Sequence, residues 1–323
     1  MRRSPVAKVF LLAALLLGLL LLWVAGASWR QRDPAQAALN TQEFNGQRAY
    51  RDVEYQMGLG PRMVGTPAHR AAGDWIISEL RSAGWEVDVQ VTQVEGQPIR
   101  NIAARWGTGR PWLVLGAHYD TRQVADRDRL ARNRDQPVPG ANDGASGVAV
   151  LLELARLIPQ RLAGGGRFNQ IWLVFFDAED GGGIPGGSAG QSSQWILGSQ
   201  AFVDSLPELP DAAVVVDMIG DADLDIYQEK NSDSELTAEI WAQAAQLGYQ
   251  QYFIPTSKHA ILDDHIPFRN VGVPAVDIID FDYPYWHTTQ DTADKVSASS
   301  LQVVGETLLA WLEQQILAPG DNQ

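Results

Sequence analysis

Apolar runs of two kinds alternate along most of the chain, which is typical of a protein built from both strands and helices. Continuous apolar runs predict buried strands over residues 112–115, 171–176, 212–216 and 273–279. Stretches with helical spacing predict helices over residues 67–84, 146–157, 195–206, 234–247 and 300–316. Strands that alternate with helices favour right-handed crossovers and a mainly parallel sheet covered on both faces. The pattern therefore predicts an α/β fold.

The first predicted helix carries its own start and stop signals. Thr66 is a favourable N-cap residue, Pro67 fits the first helical turn, and Gly84 suits the C-terminal end. Two shorter alternating runs, at residues 87–91 and 102–104, predict further strands.

The N-terminal segment differs from the rest of the chain. Arg2, Arg3 and Lys8 precede an uncharged, leucine-rich run over residues 9–29. As a helix this run would span about 30 Å, the thickness of a bilayer core, which favours an uncleaved anchor. A cleaved signal peptide is the alternative, because small residues follow at 25–28. The chain then divides into an anchor or signal segment (1–29), a linker (30–48), one catalytic domain (49–317) and a C-terminal tail (318–323).

Charge and composition indicate where the protein is located and which classes of partner it can bind. The leading basic residues favour an inside N-terminus, so we expect an anchored extracytoplasmic domain, or a secreted one if the segment is cleaved. The chain has no cysteine, which excludes a disulfide framework. Beyond residue 33 it carries 20 basic and 38 acidic residues, a net charge of −18. This charge argues against nucleic-acid binding and against docking on anionic lipid.

Five short segments rich in carboxylates and histidine follow apolar, strand-like runs. Their central residues are His118, Asp143, Glu179 with Asp180, Asp217 and His287. The carboxyl ends of parallel strands lie along one edge, so we expect these side chains to share one crevice. Four carboxylates and two imidazoles would be costly there without a bound cation. Zinc is the natural candidate, because imidazole and carboxylate are its usual ligands when cysteine is absent.

Most of these residues also have a less specific interpretation. His118 alone would suit a hydrogen-bonded core position, although Asp120 is well placed to orient its ring as a ligand. Asp143 precedes a helix and would suit a cap. Asp217 and His287 would suit the surface. Their joint order along the chain favours a common metal site.

The adjacent carboxylates Glu179 and Asp180 indicate two different roles, metal binding and proton transfer. Neighbouring residues on an extended segment point to opposite sides, so one carboxylate can bind metal while the other faces the substrate. A carboxylate bound to zinc carries protons poorly, and a general base needs this separation. A solvated acidic turn is the alternative. The Gly-rich stretch at 181–190 follows directly, as either a flexible insertion or a mobile rim of the site.

Together these residues resemble the zinc-dependent aminopeptidase family that includes the glutaminyl cyclases, over roughly residues 50–317. The resemblance implies a three-layer αβα fold with a mixed, mostly parallel central sheet. In the aminopeptidases two zincs are held by residues that correspond here to His118, bridging Asp143, Asp180, Asp217 and His287. Glu179 corresponds to their general base.

Several stretches are similar to the cyclase branch in particular: Asp263 to Phe268, Gly272 to Pro274, Trp286 to Thr288 and Leu197 to Gln200. There are also departures. Asp180 stands where the animal cyclases carry glutamate, Asp277 stands where they carry histidine, and their frequent disulfide has no counterpart here. The stretch at 181–190 matches neither branch well.

In the cyclase branch one zinc suffices, and the resemblance assigns it to Asp143, Asp180 and His287. Glu179 would then carry protons, with Asp217 and Asp263 in its hydrogen-bond network. Trp286 would line the substrate pocket. In an aminopeptidase, by contrast, His118 and Asp217 would hold a second zinc.

Two activities on peptide or protein N-termini therefore follow from the resemblance. The favoured one is cyclisation of N-terminal glutamine to pyroglutamate with release of ammonia. The alternative is di-zinc hydrolysis of N-terminal residues, with Glu179 as the base that activates water. A non-catalytic, membrane-tethered peptide-binding domain is a third, more remote interpretation, since neither Glu179 nor any ligand is lost.

Overall fold

The computed structural model describes residues 43–94, 96–162, 169–182 and 194–317. The predicted anchor, residues 30–42 of the linker, the tail and most of the stretch at 181–190 lie outside these ranges. Within them, no helix is both long enough and apolar enough to cross a bilayer.

A six-stranded mixed sheet forms the centre of the domain. Its strands are β1 (Glu86–Val94), β2 (Gln97–Gly107), β3 (Trp112–His118), β4 (Gln170–Phe176), β5 (Ala212–Asp217) and β8 (Ala275–Ile279). They lie in the order β1-β2-β4-β3-β5-β8. The strands β4, β3, β5 and β8 run parallel, whereas β2 is antiparallel to both β1 and β4. Two short strands, β6 (Ile226–Gln228) and β7 (Phe253–Ser257), form a separate parallel pair.

Helices connect and cover these strands. They are α1 (Gly46–Leu59), α2 (Pro67–Ser82), α3 (Ala145–Arg161), α4 (Leu197–Asp204), α5 (Ser234–Gln246), α6 (Ile266–Asn270) and α7 (Ala298–Leu317). The predicted start of α2 is confirmed, because the Thr66 hydroxyl accepts a hydrogen bond from the His69 N–H at 3.2 Å. Gly84 follows the helix with φ of +89°, a conformation that glycine adopts without strain.

Alternate residues of the buried strands enter two separate cores. Leu113 and Leu115 of β3 pack in one core with residues of α1, α2, α3, α5 and α7. Trp112 and Val114 face the other way and pack with Phe202 of α4 and Phe268 of α6. Helices therefore cover both faces of the sheet, which confirms the three-layer, mostly parallel α/β fold.

Three helices differ from the sequence prediction. The short helix α6 was not predicted. Helix α4 begins at Leu197 because Trp195 forms a β-bridge with Asp180, and Ile196 then turns with φ of +53°. Helix α1 was not predicted, and it starts three residues before residue 49. Its N-cap is Asn45, whose side chain accepts a hydrogen bond from the Arg48 N–H at 2.9 Å.

A buried carboxylate joins α1 to α3. Glu153 accepts hydrogen bonds from Asn45 N at 3.0 Å and Arg48 Nη2 at 2.7 Å, and lies 3.4 Å from Arg156. We expect Glu153→Ala to lower the free energy of unfolding by about 3 kcal/mol, because these donors lose their shared acceptor. Urea denaturation at neutral pH measures the change. Glu208→Ala, at an exposed ion pair, is the matched control and should have little effect; equal losses would contradict this account.

Candidate active site

The parallel strands bring the residues predicted from the sequence to one edge of the sheet. His118 is the last residue of β3 and Asp217 the last of β5. Asp180 follows β4 in the segment that carries Glu179, and Asp143 lies just before α3. His287 lies in the loop after β8. Because the carboxyl ends of these strands are neighbours, side chains far apart in sequence meet here.

Five of the side chains form two groups that share Asp143. His118 Nε2 lies 3.2 Å from Asp143 Oδ1 and 3.1 Å from Asp217 Oδ1. His287 Nε2 lies 3.3 Å from Asp180 Oδ1 and 3.8 Å from Asp143 Oδ2. Within each group one potential ligand atom per residue lies within 4.8 Å of the others. Ligands about 2.0–2.2 Å from a tetrahedral zinc have similar separations.

The two groups differ in how their polar atoms are satisfied. Asp143 Oδ2 and Asp180 Oδ2 are buried, and no donor among the described residues lies within hydrogen-bonding distance of them. His118 Nε2, in contrast, shares a hydrogen bond with Asp217 Oδ1 at 3.1 Å. Buried carboxylate oxygens without a donor are costly, and a cation removes that cost. Together with the imidazole of His287, these oxygens are a donor set that fits zinc.

Strained backbone accompanies the site. Among the described residues, the non-glycine residues with left-handed φ, between 47° and 53°, are Ala178, Ile196, Met218 and His287. Ala178 and Met218 adjoin Glu179 and Asp217, and His287 is itself in one of the groups. This conformation costs about 1–2 kcal/mol per residue, and proteins retain it mostly at functional sites, where it fixes the direction of a side chain.

Asp120 fixes the segment after β4. Its carboxylate accepts hydrogen bonds from the N–H groups of Glu179 at 3.1 Å and Asp180 at 3.2 Å, and lies 3.6 Å from His118 Nδ1. Burial alone would raise the pKa of Asp120, but its contacts with His118 and the Glu179 N–H lower it. Asp120 therefore links the two groups as a charged acceptor.

Glu179 belongs to neither group and lines a cavity of about 230 Å³. Asp143, Asp217 and His287 reach the same cavity. Burial raises the pKa of Glu179 well above its usual value. The charge of His118 opposes this shift, whereas the charges of Asp180, Asp263 and Asp264 add to it. A carboxyl group with a raised pKa beside a polar cavity is suited to accept and return a proton.

Aromatic and aliphatic side chains form another part of the cavity wall. Trp286 lies in this wall and contacts Phe281, with ring centroids 4.9 Å apart. Ile261, Leu262 and Ile279 also line it. The cavity thus combines an apolar wall with a wall of carboxylates and imidazole.

Three further acidic residues lie at or near the cavity: Asp263, which the resemblance placed in the hydrogen-bond network of Glu179, and Asp264 and Asp277, which were missed. Asp263 lines the cavity, and burial and the neighbouring Asp217 raise its pKa to about 6. Asp264 and Asp277 are fully buried, and burial followed by the charge of Asp263 raises their pKa values well above the usual range. These groups bind protons more readily than exposed aspartates do.

Arg122 and Asp126 were also missed. Arg122 Nη1 donates to Asp180 Oδ1 at 3.0 Å, and Arg122 Nε donates to Asp126 Oδ1 at 2.7 Å. Asp126 Oδ1 lies in turn 3.5 Å from His287 Nδ1. The guanidinium also lies 4.9 Å from the ring centroid of Trp195, which stacks parallel to His287. Arg122 therefore contacts Asp180 directly, and it reaches His287 indirectly, through Asp126 and Trp195.

Fold and site together define a zinc-dependent enzyme of the aminopeptidase and glutaminyl cyclase class. The chain belongs to peptidase family M28, which it matches over residues 101–312.

Solved structures of both kinds are similar to this chain. The glutaminyl cyclase of Porphyromonas gingivalis is 36% identical, with a TM-score of 0.77 over 85% of this chain and 100% of that one. A leucine aminopeptidase precursor of Bacteroides thetaiotaomicron is 31% identical, with a TM-score of 0.79 over 86% and 98%. A Zn-dependent exopeptidase of Parabacteroides distasonis is 31% identical, with a TM-score of 0.77 over 86% and 99%. The likeness extends over nearly the whole described domain and includes both branches of the family.

Proposed function

We propose that the protein is a glutaminyl-peptide cyclotransferase, which converts N-terminal glutamine to pyroglutamate and releases ammonia. The observation that carries this proposal is a difference between the two histidine–carboxylate groups in how their buried polar atoms are hydrogen-bonded. On the side of His287 two buried carboxylate oxygens, Asp143 Oδ2 and Asp180 Oδ2, have no donor among the described residues. On the other side Asp217 is already hydrogen-bonded to His118 Nε2, and of the buried atoms described there only His118 Nδ1, which points away from that contact, lacks a partner. One strongly bound zinc is enough for cyclisation, because the substrate's own amine is the nucleophile. The 36% identity to a bacterial cyclase supports the same activity.

In this proposal Asp143, Asp180 and His287 hold the zinc. When bound, zinc would polarise the γ-carbonyl group of the substrate glutamine and stabilise the negative charge that develops on its oxygen. Arg122 and Asp126 hold Asp180 and His287 in place. Asp143 N–H donates to Asp291 Oδ2 at 3.1 Å, which fixes the third ligand.

Glu179 carries the proton. The α-amine nitrogen attacks the γ-carbonyl carbon, a ring N–C bond forms, and the bond to the side-chain NH₂ breaks. Glu179 takes a proton from the attacking amine and returns it to the departing nitrogen, which leaves as ammonia. Asp217 and Asp263 lie beside Glu179 along the cavity and complete its acidic network.

Trp286 positions the substrate. The rings of Trp286 and Phe281 and the aliphatic side chain of Ile261 give the methylene groups of the glutamine side chain an apolar wall. The α-amine and amide then face the carboxylates that line the same cavity. Ring closure depends on this folded conformation. Because binding holds the substrate in it before the reaction begins, orientation accounts for a large part of the rate enhancement.

The second candidate is a di-zinc aminopeptidase. It is favoured by one observation, namely that Asp143 offers Oδ1 to the group of His118 and Oδ2 to the group of His287. In that case Glu179 would deprotonate a water molecule, and His118 and Asp217 would hold the second zinc.

Product analysis separates the two. The purified domain is offered a Gln-peptide and the naphthylamides of leucine and alanine. The proposal predicts pyroglutamyl peptide and ammonia from the first and little release from the others. Free amino acid without pyroglutamate would show that the protein is a peptidase instead.

Arg122 provides a test of the zinc ligands that does not depend on turnover. We expect Arg122→Met to weaken zinc binding by about 10- to 100-fold, because Asp180 and Asp126 lose their shared donor. Competition with a chromogenic chelator measures the affinity. Arg110→Met is the matched control, since Arg110 also pairs with a carboxylate and lies over a tryptophan, but at the opposite end of β3. Equal affinities for wild type and Arg122→Met would contradict the ligand assignment.

We also propose that residues 1–29 anchor the catalytic domain to the outer face of a membrane. The support is the uncharged run over residues 9–29 behind Arg2, Arg3 and Lys8. Resistance of the full-length protein to alkaline extraction from membranes is the expected result. Release of the protein by that treatment, or a mature N-terminus beyond residue 29, would contradict the anchor.

A further inference from the structure

A cluster of arginines follows Asp126 at the edge of the site. Four of the eight residues over 127–134 are arginine, in a chain whose net charge is −14. The cluster consists of Arg127, Arg129, Arg132 and Arg134, and all four side chains are exposed. Arg134 donates to a backbone carbonyl, and none of the four is within ion-pair distance of a carboxylate in the described ranges.

The aspartates of the same segment do not neutralise this cluster. Asp126 pairs with Arg122, on the side of His287. Asp128 is buried and accepts hydrogen bonds from Thr289 and from the Leu130 N–H. Asp135 is the remaining exposed acid in the segment. The exposed charge of the segment is therefore clearly positive.

The cluster begins at the rim of the substrate cavity. The Arg127 guanidinium lies 5.1 Å from the ring centroid of Trp286, which forms part of the cavity wall. The Arg127 N–H donates to the carbonyl oxygen of His287 at 3.2 Å, which fixes the position of this residue beside the site. Arg129 lines an adjacent cavity of about 160 Å³ together with Tyr285 and Thr288. Arg127 beside Trp286 and Arg129 beside Tyr285 and Thr288 thus place positive charge at the rim of the site on the side of Trp286.

We propose that Arg127 and Arg129 select peptides that carry acidic residues directly after the N-terminal residue. This inference rests on the proposed action on peptide N-termini. An extended peptide advances about 3.3 Å per residue, so the second to fourth residues leave the cavity across its rim. Glutamate or aspartate carboxylates there would meet unpaired guanidinium groups, with which they form strong charge-assisted hydrogen bonds. The remainder of the chain is acidic and would repel the same peptides, so the preference is local to this rim.

Two isosteric peptides test the preference: Gln-Glu-Glu-Ala-amide and Gln-Gln-Gln-Ala-amide. We expect kcat/KM for the Glu peptide to exceed that for the Gln peptide by about tenfold at low salt, mainly through KM. The ratio should fall as ionic strength rises, because exposed charges are screened. In the double variant Arg127→Gln, Arg129→Gln the ratio should approach one. Arg51→Gln, at an exposed arginine on α1, makes a comparable charge change and should preserve the ratio.

The outcomes separate the two proposals. Equal kcat/KM for both peptides, or a Glu preference that survives in the double variant, would overturn the role of the arginines. Free amino acid in place of pyroglutamate would overturn the cyclase function alone. In that case the ratio measured on the released amino acid still decides whether the arginines select acidic peptides.

Discussion

Glu179→Gln is expected to reduce kcat by about 10²- to 10⁴-fold while zinc stays bound. Glutamine has nearly the same shape as glutamate but does not carry a proton between the attacking amine and the departing nitrogen. Glu179 lies in neither histidine–carboxylate group, so its replacement leaves the proposed ligands intact. Steady-state turnover of a Gln-peptide and zinc content per chain are the two measurements.

The control is Glu208→Gln, a change of the same kind at an exposed carboxylate remote from the site. It should affect neither turnover nor zinc content. If Glu179→Gln kept more than a tenth of the wild-type rate, the proton-carrying role of Glu179 would be wrong. Loss of zinc together with activity would instead make Glu179 part of the metal site.

The second large effect is expected at His287. We expect His287→Ala to lose most of its zinc and at least 10³-fold in activity, because the proposed site then retains only carboxylates. His118→Ala should keep about one zinc per chain and lose about tenfold in activity, since His118 acts through Asp217 and Asp120. Zinc content after dialysis against a mild chelator is the measurement.

The pair of histidine variants also decides the number of metal ions. A cyclase with one zinc predicts an unequal result, with metal lost in His287→Ala and retained in His118→Ala. Two zincs in the wild type and one in each variant would contradict that account. Such a result would indicate the di-zinc aminopeptidase, in which Asp143 bridges the ions.

The convergence of the site could be predicted because it follows from strand direction. His118 and Asp217 end parallel strands, and the segment of Glu179 follows a third. Because the carboxyl ends of parallel strands lie at one edge of the sheet, these residues are predicted to meet even when the loop conformations are unknown. His287 is different. Its loop after β8 has no periodic pattern. His287 was placed in the site because its segment follows an apolar run, and the resemblance of Trp286 to Thr288 then assigned it as a ligand.

The residues that were missed depend on tertiary contacts. The guanidinium of Arg122 turns back to Asp180, which lies 58 residues further along the chain, and no local spacing indicates that contact. Asp277 lies within the buried strand β8, where an acid breaks the apolar pattern and has no partner in sequence. Helix α1 was missed because its sequence is mostly polar, although a cap at Asn45 and the contact with Glu153 stabilise it.

The nucleophile is the central question, and one measurement answers it directly. A Gln-peptide is incubated with the purified domain in water enriched in heavy oxygen, and all products are analysed by mass spectrometry. Attack by the substrate's own amine predicts a product lighter by one ammonia, with no heavy oxygen incorporated. Free glutamine with heavy oxygen in its new carboxyl group would contradict the cyclase account and show that zinc-activated water is the nucleophile.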